Sequence, residues 1–259
     1  MLDFEDVART YDPPGYDDPV DLVHDFYRVR GYHNAHPDLG KVKLGRRFPD
    51  VSSDRIHNWI HDSRPAVVKG LDGIEARGWF DTFPHRVAGK ALCVLVVGTY
   101  ACGSLASETL LPRWFPSHDD TTDELLAALD DAEIEANIDR EGDGAELWVS
   151  DGHLIGRSLA ALGCPVGQKS TDTVDPFPAF VFDAPDETRQ TCARLFVRER
   201  GSSPGTEETI QLLLTKRSEQ FIDSVIALLE SVTDEPITRG ETVTVSAAAA
   251  RDLDITELT

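Results

Sequence analysis

The feature that most narrows what this chain can fold into is an internal repeat. Two stretches look alike once aligned on their glycines: "VAGKALCVLVVGTYACGS", ending at Gly103-Ser104, and "DETRQTCARLFVRERGSS", carrying Gly201-Ser202. Each is a helix-length segment closed by Gly-Ser. An amphipathic helix follows in both, marked by Leu125, Leu126 and Leu129 in the first half and by Phe221, Ile222, Val225, Leu228 and Leu229 in the second. Two strand-like runs around a turn come next, the turns being Glu141-Gly142-Asp143-Gly144 and Arg239-Gly240. Identity between the halves is low, but the shared element order marks a duplicated unit. The order is helix, strand region, helix, strand, strand, with a further helix at "SDGHLIGRSLAALG" in the first half. Antiparallel strands with helices on one face predict an α+β class. The Pro-rich stretch "CPVGQKSTDTVDPFPAFVFDAPDE" joins the halves. The reading divides the chain into a helical domain over 1–84, a first repeat over 85–170 and a second over 171–259.

Charge separates the segment before the repeat from the rest. The net charge is −21, with only six lysines: Lys41, Lys43, Lys69, Lys90, Lys169 and Lys216. Such a surface resembles those of proteins from halophiles, which stay hydrated in concentrated salt; it speaks to solubility and not to fold. Residues 31–91 alone are basic, at +3, and hold four of the six lysines, whereas residues 92–232 carry −15. Phosphate contact is the simplest reason for one segment to escape the acidic trend.

Within that segment Pro37 and Asp38 can open a helix carrying Leu39, Val42, Leu44 and Phe48, which Pro49-Asp50 stops. Ser52 or Ser53 can cap the next helix, where Ile56, Trp59 and Ile60 recur at helical spacing. Ser53, Arg55, His57, Asn58 and His61 then face outward. A short helix, a turn and a second helix with a polar outer face resemble a helix-turn-helix, whose second helix enters the major groove. Arg55 and Asn58 suit base edges, while Lys41, Lys43, Arg46, Arg47 and Arg64 suit phosphates. His57 and His61 have helical metal-ligand spacing, but no Glu follows His57 and no further ligands are evident, so no metal site is expected. A helix with Val20, Leu22, Val23, Phe26 and Tyr27 on its apolar face caps this bundle.

The repeat resembles the LAGLIDADG homing-endonuclease family in its two-motif form, over about residues 86–248. The segments that carry the likeness are "LGCPVGQKS", similar to the family's joining segment, and "LLLTKRSEQFIDSVIALLESV", similar to its late strand-helix element. The resemblance implies a pseudo-twofold saddle of two sheets, with motif helices at Cys93–Gly103 and Cys192–Gly201 packed side by side. Small residues at Gly98, Ala101 and Ala193 would let them approach. It also implies an acid at the foot of each motif helix, the pair holding magnesium over the scissile phosphates. Here those positions are Cys102 and Arg200, and Glu199, the fallback acid, lies one position early. Neither Cys102 nor Arg200 is a hard oxygen ligand. Arg194, Arg198 and Arg200 could present a basic patch or pair with neighbouring acids.

The expectation is therefore a sequence-specific DNA-binding protein, a regulator built on a homing-endonuclease-like frame without catalytic residues or cofactor. Its partner is double-stranded DNA, with a homodimer or protein partner on the acidic domain. Bacterial developmental regulators combine the same two modules in the reverse order. An active endonuclease requiring magnesium is the first alternative, and an acidic protein-interaction module the second. No apolar run long enough for a membrane span exists. The opening "MLDFEDVART" lacks a signal-peptide pattern, and four scattered cysteines suggest reduced thiols in a cytoplasmic protein.

Overall fold

The computed structural model describes residues 2–80, 84–140, 144–169, 174–203, 209–214 and 217–255. Among the described residues the protein is α+β, with eleven α-helices and two four-stranded antiparallel sheets. No helix among them is long and apolar enough to cross a membrane. The chain forms two compact units, one over Asp3–Ala76 and the other from Arg77 onward with Met1–Leu2.

The first unit is all helical: α1 (Phe4–Arg9), α2 (Pro19–Ala35), α3 (Lys41–Arg47), α4 (Ser53–Ile60) and α5 (Ala66–Ala76). Local chemistry sets the starts. Asp18 accepts from the Val20 N–H at 3.0 Å with Pro19 at the first helical position, and Ser52 accepts from the Arg55 N–H. The core is made by Val23, Phe26 and Val29 of α2, Leu44, Ile56 and Trp59, and Val68, Leu71 and Ile74 of α5. Phe26 meets Trp59 edge-on at 5.6 Å. Two expectations change. Helix α3 starts at Lys41 behind Gly40, not at Pro37-Asp38, so its register leaves Val42 64% exposed while Leu44 points in. Tyr27 is on the exposed side of α2, its hydroxyl donating to Asp72 of α5 at 2.8 Å.

The second unit repeats one motif. Its first half runs α6 (Val87–Ala101), β1 (Gly103–Leu105), β2 (Pro112–Trp114), α7 (Asp119–Asp131), β3 (Ala136–Asp139), β4 (Glu146–Val149) and α8 (Gly152–Ala161). Its second half runs α9 (Asp186–Arg200), β5 (Gly201–Ser202), β6 (Ile210–Leu212), α10 (Glu219–Glu230), β7 (Ile237–Arg239), β8 (Val243–Val245) and α11 (Ala247–Asp252). The strand orders correspond, β1-β2-β4-β3 and β5-β6-β8-β7. So do the registers: Gly103 lies opposite Trp114 and Gly201 opposite Leu212. The strand region expected after each motif helix is thus a strand pair, and α11 completes the second half with a helix that the sequence reading had placed only in the first. The first expected hairpin turn, at Glu141 to Gly144, lies mostly outside the described residues, which resume at Gly144.

Helices α6 and α9 pack against each other, and α7 packs against both. Along α6 every residue from Ala91 to Ala101, bar none, is buried. Gly98 does not serve the α6–α9 approach as expected: a Cβ there would stand 2.5 Å from Leu125 Cδ2 of α7. Gly103 is required by Trp114, whose Cδ1 would lie 2.6 Å from an added Cβ. Trp114 is fully buried and donates its Nε1–H to the Thr99 hydroxyl at 3.1 Å. Below the helix ends, Tyr100, Phe177, Phe196 and Phe221 form an aromatic cluster contributed by both halves, with Tyr100 stacked on Phe221 at 5.7 Å.

Candidate functional site

Two places in the molecule hold the residues that the sequence singled out. The first is the α3–α4 pair, joined through Phe48 to Ser52 and packed on each other. Lys41, Lys43, Arg46 and Arg47 of α3 are exposed. Lys41, Lys43 and Arg46 have no carboxylate partner among the described residues, and the Arg47 guanidinium lies 5.7 Å from the Tyr32 ring centre. On α4 and just beyond it, Ser53, His57, Asn58 and His61 are exposed, the two imidazoles meeting edge-on at 4.6 Å. Burial of Ile56 and Trp59 fixes that outward face.

Two expected contacts are differently placed. Arg64 is exposed but ion-paired with Asp72 at 2.6 Å. Arg55 is half-buried: its guanidinium donates to the Pro14 carbonyl and lies 4.5 Å from the Tyr16 ring centre. It is a strut between α4 and the segment before α2, whereas the Asn58 side chain is exposed with no hydrogen-bond partner among the described residues.

The second place is the open cleft at the feet of α6 and α9, about 430 Å³ in volume. Cys102 and Arg200 occupy equivalent positions in it, for each carbonyl accepts from the first residue past the partner strand: Phe115 N–H at 2.9 Å and Leu213 N–H at 2.7 Å. Lys169 enters from the segment that joins the halves, held along β1 by the Gly167 N–H to Leu105 carbonyl bond of 2.8 Å. Its ammonium donates to the carbonyls of Thr99, Tyr100 and Gly103, closing the C-terminal end of α6. Arg200 donates to the Tyr100 carbonyl at 3.4 Å, and Arg217 to the Lys169 carbonyl at 2.9 Å. Glu199 is turned to the side, both carboxylate oxygens accepting from the Ser117 N–H at 3.0 and 3.2 Å. Phe115 forms an apolar edge and is 48% exposed.

A divalent metal ion requires several hard oxygen donors. The cleft offers one carboxylate, already engaged, a thiol and three cationic side chains, so its donor set does not fit such an ion. Among the described residues no other group of His, Cys, Asp and Glu is arranged to hold a metal. Cys102 is also a poor nucleophile: burial, helped by Glu199, pushes its thiol up to about 12. Arg194 and Arg198, the neighbours of Arg200 on α9, are neutralised by Glu124 of α7 at 2.8 and 3.1 Å.

The thiols set an expectation for alkaline solution. Burial raises Cys93, Cys102 and Cys164 from 9.0 to about 12, and lifts Cys192 well above 9.0. A thiol with a raised folded-state pKa stabilises fully below about pH 9, and that contribution is lost as the pH climbs toward 12. Lys169 works the other way: desolvation, then Arg200, lower it from 10.5 to about 8, so its contribution rises between those values. Four thiols outweigh one amine, and Tm is expected to fall from pH 9 upward, with a shallower fall in Cys93→Ala. Equal slopes for the parent and this variant in pH-resolved melting would contradict the assignment.

Sequence reasoning had not brought Lys169 and Arg217 to the helix feet, because their convergence is tertiary. One signal was present: Lys169 is one of only two lysines outside residues 31–91. No protein-family model matches the chain, and no curated protein matches it in sequence.

Proposed function

We propose that this chain is a sequence-specific DNA-binding protein, a transcription regulator, in which α3 and α4 act as a helix-turn-helix. The repeat unit is read as a LAGLIDADG-type saddle whose nuclease chemistry has been lost. The observation that carries the reading is the set of exposed cations Lys41, Lys43 and Arg46, without an acidic partner among the described residues, beside the polar outer face of α4 in a chain of net charge −21. Cations on this surface can neutralise phosphates and set orientation, while Asn58 suits adenine edges. The duplicated helix-strand-strand-helix-strand-strand-helix order and the Gly-Ser endings support the second half of the reading. Thiol and guanidinium where that family holds acids support the loss of cutting.

The outward faces of the two sheets differ. The first presents Arg113, paired with Glu146, together with Asp139 and the partly exposed Trp148. The second presents Ser202, Gln211, Thr238 and Thr244 in register, a neutral hydrogen-bonding surface. This favours contact with a polar partner over the acidic interaction module, which would display carboxylates on both.

Asn58→Ala is expected to relax site preference, with a loss of about 1–3 kcal/mol confined to the preferred sequence. Lys41→Ala should weaken all duplexes alike. Selection of bound sequences from a randomised pool distinguishes the two, and an unchanged preference in Asn58→Ala would remove α4 as the reading helix.

A further inference from the structure

We propose that the cleft at the feet of α6 and α9 is a binding site for a phosphate group, gripped by the guanidinium groups of Arg200 and Arg217 with Lys169 behind them. Elsewhere in the repeat unit Arg113, Arg140, Arg189, Arg194, Arg198 and Arg239 each meet a carboxylate. Lys169, Arg200 and Arg217, all partly buried and all lining one cleft, have no carboxylate within ion-pair distance among the described residues. Three cations without an ion pair in one cleft stand out in a segment carrying a large excess of acids. Partly desolvated cations without an ion-pair partner among the described residues are costly, and here they also repel one another. Burial and Arg217 lower the Arg200 pKa, and burial and Arg200 lower that of Lys169. An anion entering the cleft removes both penalties.

The donors decide which anion. Lys169 spends its N–H groups on three carbonyls, so it supplies charge and rigidity. Among the described residues Arg200 and Arg217 each spend one bond on a backbone carbonyl and keep the rest of a planar fork, which suits a tetrahedral oxyanion held by paired hydrogen bonds. Glu199 is held at the side by Ser117 and leaves the three cations in excess. A nucleic-acid strand and a free phosphate compound share this chemistry. The site therefore stands or falls independently of DNA reading by α4.

The experiment uses the full chain and inorganic phosphate at constant ionic strength in potassium chloride, followed by ³¹P line broadening and by Tm. Phosphate is expected to bind and to raise Tm in the parent and in Arg239→Gln. Arg200→Gln and Arg217→Gln, tested separately, should each bind at least about tenfold more weakly. Without phosphate Arg200→Gln should melt no lower than the parent, since it removes an uncompensated charge. Displacement of phosphate by a short duplex identifies a nucleic-acid strand as the source; retention of phosphate beside the duplex identifies a free phosphate compound. Binding that is absent in the parent, or equal in the parent and both cleft variants, overturns the proposal.

Discussion

Replacing Lys41, Lys43 and Arg46 together with alanine is expected to lower DNA affinity by about two to three orders of magnitude at 0.1 M salt. Each of these side chains is exposed and has no acidic partner among the described residues, so each can displace a counterion from the duplex. Three lost phosphate contacts reduce the slope of log affinity against log salt by about 2.7. The parent and variant lines should then converge near 1 M salt, where the Debye length is about 3 Å. Leu44 alone of α3 is buried, so the triple variant should fold as the parent does. Fluorescence anisotropy on one duplex across a salt series measures slope and affinity together. A parallel shift with no change in slope would mean that the three side chains do not touch phosphate.

The second large effect concerns the frame of the repeat. Trp114→Ala is expected to cost about 3–5 kcal/mol, through lost burial and the cavity left behind. Trp114 is fully buried against Gly103 and Thr99, so Gly103 owes its place partly to this ring. For a unit of this size the loss corresponds to a Tm lower by roughly 10 °C. Trp114→Phe keeps most of the volume and leaves the Thr99 hydroxyl donating to Leu95 at 2.7 Å, so its cost should be about 1 kcal/mol. Thermal melting followed by circular dichroism separates the cases. If Trp114→Ala melted within 2–3 °C of the parent, the account of why a glycine ends α6 would be wrong.

Much of the fold was legible because its punctuation is local. Gly-Ser after two helix-length segments, and the spacing of Leu125 and Leu129 or Val225 and Leu229, mark element ends and buried faces without any tertiary knowledge. Helix α11 escaped because four consecutive alanines carry no periodicity. The start of α3 was misplaced because Pro37-Asp38 is as good a local opening as Gly40, and packing of Leu44 decides between them. Gly98 was assigned to the wrong neighbour for a related reason: a small residue announces a close approach but not which helix approaches. The site was legible only where the motif carried it. Cys102 and Arg200 were located by their place before a glycine, whereas Lys169 and Arg217 reach the same cleft along the joining segment and the approach to α10. Arg55 looked like a base reader from helix phase alone, since the Pro14 carbonyl and the Tyr16 ring that hold it lie on a distant stretch of chain.

The most direct test of the central claim is a single assay on a labelled pool of genomic fragments, with the full chain, magnesium and high potassium. It records retention and cleavage together. Selective retention of a sequence class with every retained fragment intact is the predicted result. Cutting at a defined sequence would contradict the loss of nuclease chemistry at Cys102 and Arg200, and no selective retention would contradict DNA recognition by α4.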